Sequence, residues 1–335
     1  MESFSNLLKH KTLTKLDIEG FTQLMNSGFT FQECLQLLET KHNKDIFLEI
    51  KEKLSNGNKI DTFFTKCIPK KYSEILEGFI GYTTFQKSLH LTLQILNSYE
   101  NQMNRLKKKL LYPTLLLLGT TIGLFFFDKV CIPTLLDLCS SFNNNNINFD
   151  IIQTIIHIFV MLLCLIIILF IISYFYLKNE KHLKSFYILL NERFPNSLFI
   201  KYITQEFMRY FIECIKSGVS TQNTIQILKR IPHKPIIYML ASEIENSLLQ
   251  GEAFLNAIKN THLDNDLIRF MQIAIYSKDK ESILSGYISF SENYIERRIT
   301  QVTNILQTCA YGIIGFFMIL IYQILMVPLS LITTL

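Results

Sequence analysis

The residues able to do chemistry are scattered in a way that argues against a reaction centre. Seven histidines, His10, His42, His90, His157, His182, His233 and His262, stand singly. No two are three or four residues apart, the spacing at which one helix face offers two imidazoles to a metal ion. Seven cysteines, Cys34, Cys67, Cys131, Cys139, Cys164, Cys214 and Cys309, include no CxxC pair, so no zinc site or redox dithiol is expected. The chain has no GxxxxGK[ST] phosphate loop, no GxGxxG, no HExxH and no GxSxG elbow. The sequence therefore predicts no catalytic residue, no cofactor and no metal, and a protein that is not an enzyme. The charged group Asp264, Asp266, Lys278, Asp279, Lys280 and Glu281 reads as solvated helix ends, with a docking surface as the functional alternative. His157 sits inside an apolar run, where an ionisable residue raises a functional question by default. With no acidic partner in its own segment, it reads as a hydrogen-bonding group near a membrane edge rather than a proton relay.

The elements that would carry such residues are organised around Arg105–Phe127, RLKKKLLYPTLLLLGTTIGLFFF. From Leu110 to Phe127 no side chain is charged, and about 18 to 20 such residues let a helix cross ~30 Å of hydrocarbon. A Lys or Arg at the bilayer centre costs about 2.5–3.5 kcal/mol, so Arg105, Lys107, Lys108 and Lys109 stop at the interface as topology anchors. Arg297 and Arg298 take the same role before the last apolar run. Pro113 is read as lying in the first turn of the span, where its missing N–H does least damage. Gly119 and Gly123, and likewise Gly312 and Gly315, are small residues that let another helix come close.

With 335 residues and 49% hydrophobic content, part of this chain is expected in lipid. Three spans are predicted, 110–127, 151–177 and 308–331. The N-terminus lacks the apolar core of a secretory signal, so the first span is internal. Of 33 Lys and Arg, 16 precede the first span, 16 lie between the second and third, and only Lys129 lies between the first two. That asymmetry places residues 1–109 and 178–307 in the cytoplasm, and loop 128–150 and the C-terminus outside. The net charge of +5 is then largely topology signal, and no direct nucleic-acid binding is expected. Cys131 and Cys139 share the outer loop; free thiols are the favoured reading and a disulfide the alternative.

Apolar spacing is helical from Leu16 onward, after a tail at 1–15. Gly28 suits a left-handed helix end, and Thr30 with Glu33 forms a capping box. SNGN around Gly57 breaks the next helix, and Leu89 to Leu110 steps by three or four straight into the first span. No strand alternation appears, so 16–109 is an all-α bundle of about six helices. The plan then recurs in 207–307, after a connecting arm at 178–206. FTQLMNSGFTFQECLQLL from Phe21 matches FIECIKSGVSTQNTIQIL from Phe211, pairing Gly28 with Gly218. Gly57 pairs with Gly251, which Glu252 follows. The predicted fold class is therefore an all-α polytopic membrane protein with two repeated cytoplasmic bundles and three transmembrane helices. Gly28, Glu33, Gly57, Gly218, Gly251 and Glu252 mark repeat turns and possible partner docking.

This duplicated bundle, each copy running through a charged helix into a span, resembles the type II secretion F family from about Leu16 to Leu331. The short chain and its Asn-, Ile- and Lys-rich composition look most similar to the family's Gram-positive competence members. The family's Gly-Glu motif before the long helix is replaced here by Gly81-Tyr82-Thr83-Thr84 and Ala274-Ile275-Tyr276-Ser277, so no role for that Glu carries over. The resemblance implies a non-catalytic platform in the cell membrane, coupling a cytoplasmic assembly ATPase to polymerisation of pilin-like subunits, as a homo-oligomer. The competing class is a small oligomeric transporter or channel. Thr120, Thr121, Gln153, Thr154, His157 and Ser173 are too sparse to line its pore.

Overall fold

A computed structural model describes residues 12–134, 137 and 147–333. They are mostly helical, with no strand among them. The helices are α1 Lys15–Asn26, α2 Phe31–Leu37, α3 Lys44–Ser55, α4 Ile60–Cys67, α5 Lys70–Phe79, α6 Phe85–Phe126 and α7 Ile147–Leu177. They continue as α8 Glu180–Arg193, α9 Leu198–Lys216, α10 Thr221–Arg230, α11 Pro235–Leu249, α12 Phe254–Lys259, α13 Asn265–Tyr276 and α14 Lys280–Thr333. Two compact units result: one joins residues up to Gln102 with Leu183–Asn293, the other Met103–His182 with Tyr294 onward.

Local chemistry explains the helix boundaries of the first unit. Thr14 and Thr30 each cap a helix with the hydroxyl while Asp17 and Glu33 return the bond to the cap backbone, a reciprocal arrangement that satisfies two orphan N–H groups at once. Ser197 and Ser220 cap α9 and α10 through the hydroxyl alone. Gly28, Gly57, Gly218 and Gly251 end their helices at φ of +94°, +78°, +72° and +84°, a region closed to most L-residues. Helix order also recurs. Helices α2 and α10 begin at residues 31 and 221, α4 and α12 at 60 and 254, and α6 and α14 at 85 and 280, offsets of 190, 194 and 195.

The first half of this unit is built on aromatics. Phe21, Phe31, Phe47, Phe64 and Phe85 form one cluster with centroids 5.2–5.7 Å apart, mostly edge to face, the geometry a ring quadrupole favours. In the second half Phe211 stacks between Phe207 and Phe254 at 6.4 and 5.5 Å. The halves pack on one another: a Cβ at Gly78 of α5 would lie 3.6 Å from Ile231 and 3.8 Å from the Ile227 carbonyl. They share one core, whereas the sequence had suggested two bundles at 16–109 and 207–307.

Several boundaries move. Residues 1–11 lie outside the described residues, but Leu13, assigned to the loose tail, is buried and its N–H donates to the Cys67 carbonyl at 2.8 Å. The expected arm 178–206 instead holds α8 and the first turns of α9, with Tyr187, Ile200 and Lys201 in the interior. Pro113 lies inside the 42-residue α6, not in a first turn, so it removes one backbone bond from a continuing helix. Residues 128–131, assigned to the expected outer loop, instead belong to a π-helix, Phe127–Cys131. Asn143–Asn146 and Cys139 lie outside the described residues, and Cys131 is a free thiol.

In the second unit, Phe85–Thr134 and Lys280–Ile319 are each long and apolar enough to cross a membrane. Leu111, Leu115, Ile122, Phe125, Ile305, Met318 and Ile319 of α6 and α14 are all more than half exposed. Apolar side chains around so much of a helix circumference are what a lipid-facing helix shows. Helix α7 spans 31 residues and carries no Asp, Glu, Lys or Arg from Ile151 to Leu177.

The glycine turns generate a prediction. A Cβ at Gly28 or Gly218 would meet nothing within 4 Å, so only backbone strain opposes it. Gly28→Ala and Gly218→Ala should each lower stability by about 1 kcal/mol, read as a drop in the thermal midpoint of the detergent-solubilised protein. Gly28→Asn, which tolerates this region, should lose less.

Candidate functional site

The polar chemistry of the first unit is concentrated along α9, whose side chains are buried on nearly every face. Lys201 is 2% exposed, and its Nζ donates to Asp264 Oδ1 and Oδ2 at 3.1 and 3.0 Å and also to Asp266. Asp264 is fully buried, accepts from the Tyr287 hydroxyl at 3.3 Å, and its backbone N–H donates to Thr204 Oγ1 at 3.1 Å. Burial opposes the charge on Lys201, yet the two carboxylates win and hold the ammonium above its ordinary value. Nearby, the Tyr187 hydroxyl donates to the His262 carbonyl at 2.6 Å, and burial pushes that phenol well up. Asp264 is thus no solvated helix end. It ties α9 to α13 and α14, while Lys278, Asp279, Lys280 and Glu281 are exposed or nearly so.

Two turns along α9, Arg209 crosses to the first half of the unit. Its Nη2 donates to Gln102 Oε1 at 2.6 Å and to Glu292 at 3.1 Å, and Gln102 Nε2 donates to Gln205 Oε1 at 2.9 Å. Arg209 Nε and Nη1 are buried with no hydrogen-bond partner, and burial holds the guanidinium below its usual value. Beside it is a cavity of about 280 Å³ bounded by Tyr99, Glu206, Tyr210 and the 231–234 turn. Lys234 donates to Glu206 at 2.6 Å, and the ammonium groups of Lys71 and Lys234 lie 5.5 and 5.7 Å from the Tyr99 ring. His233 has φ +57°, the one positive value outside glycine among the described residues. Glu100 receives both Lys15 and Lys71, at 2.8 and 2.7 Å; burial raises its carboxyl, but the two lysines outweigh that and leave it below the usual range.

Among the residues predicted to dock partners, Glu33 is committed to its cap. The Thr30 N–H and hydroxyl, at 2.7 and 2.9 Å, hold its carboxyl low. Glu252 accepts from Asn260 Nδ2 at 3.1 Å. The glycine turns Gly28, Gly57, Gly218 and Gly251 are open at the Cβ position.

In the second unit the anchors divide. Glu296 of α14 takes Arg105 Nε and Lys109 Nζ of α6, both at 3.0 Å, and further along the same pair of helices the Tyr112 and Tyr311 hydroxyls are 2.6 Å apart. Lys107, Lys108 and Arg297 are exposed, and the Arg298 guanidinium lies 5.4 Å from the Tyr294 ring. Gly119, Gly123, Gly312 and Gly315 have nothing within 4 Å of a built Cβ, so among the described residues no close helix contact is made at them. Gly119 and Gly123 instead line an open apolar groove with Phe317 and Met318. His157 does meet an acid from another segment: its Nδ1 is 3.3 Å from Asp128 Oδ2, in the π-helical turn. Among the described residues no group of three or more His, Cys, Asp or Glu could hold a metal ion.

Sequence reading missed the Lys201 and Arg209 networks. One signal was present: LFIKYITQEFMRYFIE places apolar residues on every side of α9, so its charged residues cannot all reach water.

Residues 207–328 match the family described as type II secretion system (T2SS), protein F. The chain is also 21% identical over 318 residues, 90% of its own length and 97% of the relative's, to ComG operon protein 2 of Bacillus subtilis (strain 168).

The buried ion pair and the exposed one predict different responses. Lys201→Met strands Asp264 in the interior and should cost about 3–5 kcal/mol, whereas Lys201→Met with Asp264→Leu recovers much of that loss. Glu100→Gln should cost less than about 1 kcal/mol because the group is partly solvated. Since the folded carboxyl of Glu100 is depressed, its contribution is present above the ordinary Glu value and fades as pH falls through the lower folded value. Urea unfolding of the wild type and Glu100→Gln should therefore converge at acid pH.

Proposed function

We propose that this chain, whose residues 207–328 match the type II secretion system protein F family, is a membrane platform for assembling pilin-like subunits into a competence pseudopilus used in DNA uptake. In this reading α6, α7 and α14 are three spans. The helical unit of residues 12–102 and 183–293 is cytoplasmic, the 128–150 loop and C-terminus extracytoplasmic. The cytoplasmic unit receives an assembly ATPase, pilin-like subunits meet the spans, and copies of the chain associate in the bilayer. The internal offsets of 190–195 residues between α2, α4, α6 and α10, α12, α14 are read as two copies of one bundle-and-span plan.

The observation that carries this reading is the course of α6 and α14. Each begins inside the helical unit and continues without a break into an apolar run long enough to cross a bilayer. A displacement imposed on the buried part of such a helix reaches the lipid part without passing through a loop. The polar chemistry supports a mechanical role as well, because Lys201, Asp264, Arg209 and Gln102 are buried and hydrogen-bonded between helices.

Co-purification from membranes tests the proposal. The detergent-solubilised chain should retain the assembly ATPase and the major pilin-like subunit expressed with it. Retention of neither, together with solute flux through proteoliposomes of the chain alone, would replace the platform by a transporter. Gly119→Leu should leave expression and the thermal midpoint unchanged, since a Cβ there meets no atom of the described residues within 4 Å and the site opens on a groove. It should still reduce self-association or pilin retention several-fold by filling a face where another helix packs. Equal loss of expression and association would count against that role.

A further inference from the structure

Helix α8 follows α7 after only Lys178 and Asn179. One of its faces is spoken for: Tyr187 is buried, and Leu183 and Leu190, one turn to either side, pack on the core. Phe186, 37% exposed, flanks that face, and Leu189, 65% exposed, points away from it; Lys181, His182 and Arg193 are exposed too. The inner edge of Phe186 packs against Phe199, with ring centroids 6.1 Å apart. At the α7–α8 turn the exposed Tyr176 ring stacks on His182 at 4.3 Å, an amphipathic pair of the kind found at a membrane–water boundary. Over 178–193 the acids are Glu180 and Glu192, against Lys178, Lys181, Lys184 and Arg193. A helix bearing outward aromatic and aliphatic residues beside lysines, at the end of an apolar segment, has the composition of one that lies in a headgroup layer.

We propose that the outward face of α8 is a lipid-binding surface, with Phe186 and Leu189 at the acyl boundary and Lys178 and Lys181 on the phosphates of anionic lipids. The proposal rests on the reading of α7 as a span that ends at Leu177. The chain leaves α7 only two residues before α8 begins, so on this proposal the start of α8 lies close to the bilayer surface, and the excess of lysine selects anionic over zwitterionic headgroups. Binding there would fix the first turns of the second half of the helical unit against the membrane, since the far side of α8 holds that unit through the Tyr187 hydroxyl on the His262 carbonyl.

The chain contains no tryptophan, so single reporters can be placed in the full-length protein. Phe186→Trp, Ile168→Trp in α7 and Leu48→Trp in α3 are each reconstituted in nanodiscs of anionic lipid carrying brominated acyl chains, after circular dichroism confirms an unchanged helix content. The expected result is blue-shifted emission and strong bromine quenching at 186 and 168, with little quenching at 48. Lys178→Glu with Lys181→Glu should reduce quenching at 186 several-fold in anionic discs and leave 168 unchanged. Quenching at 168 but not at 186 overturns the α8 surface while leaving the span intact. A blue shift at 186 without bromine quenching means that protein covers the face, which also overturns it. No quenching at 168 removes the span itself, and with it this inference. Equal quenching at 186 in zwitterionic discs, unaffected by the lysine changes, overturns the role of the lysines.

Discussion

The structure depends on one constraint: every backbone polar group in an apolar environment must be bonded within its own segment. Helices α6 and α14 meet it in two surroundings along one backbone. In its first turns α6 contributes Leu89, Leu93 and Leu96 to a protein core, and α14 contributes Leu284 and Tyr287. Beyond residues 103 and 294 the same helices carry apolar side chains outward, with few buried among them. Between the two regimes come the charges, Arg105, Lys107, Lys108 and Lys109 on one helix and Glu296, Arg297 and Arg298 on the other. Glu296 takes two of the four basic groups of α6, so residues suited to setting topology also join the helices where they leave the polar region.

How much of this could be read from the sequence follows the range of each interaction. Thr30 with Glu33 and the glycines at 28, 57, 218 and 251 act within four residues, and their caps and positive φ angles match the pattern that announced them. The long α6 was legible for the same reason, since its apolar step is a local period. Lys201 with Asp264 and Arg209 with Gln102 connect residues 63 and 107 apart. No spacing rule reaches that far, and a lysine in an apolar run reads equally as a surface residue or a buried one. The arm expected at 178–206 failed on similar grounds: its polar residues suggested solvent, but Tyr187 and Leu190 share a face that tertiary packing covers.

The buried polar groups set the two halves of the helical unit apart. In the first half the core is centred on phenylalanine rings packed mostly edge to face. In the second half Lys201 has two acid partners, and Asp264 accepts from Lys201 and Tyr287 while its N–H donates to Thr204. A buried ion pair adds little net stability over an apolar pair, but breaking it by shifting one helix is costly. The second half therefore resists rearrangement of α9 against α13 through these bonds.

Arg209 stands where the halves meet, and its bonding is incomplete. A guanidinium offers five N–H donors, yet Nε and Nη1 are buried unpaired while Nη2 serves both Gln102 and Glu292. Leaving such donors unsatisfied costs on the order of 1–3 kcal/mol, whereas the Lys201 cluster a few turns away satisfies its cation fully. The arrangement thus has a strong lock within the second half and a weaker one between halves, beside a small cavity into which side chains can move. In the platform reading that is the useful order of strengths. A push on the helical unit would alter the seam at Arg209 before it disturbed the bonds of Lys201 and Asp264 between α9 and α13, so the seam could give while that lock held.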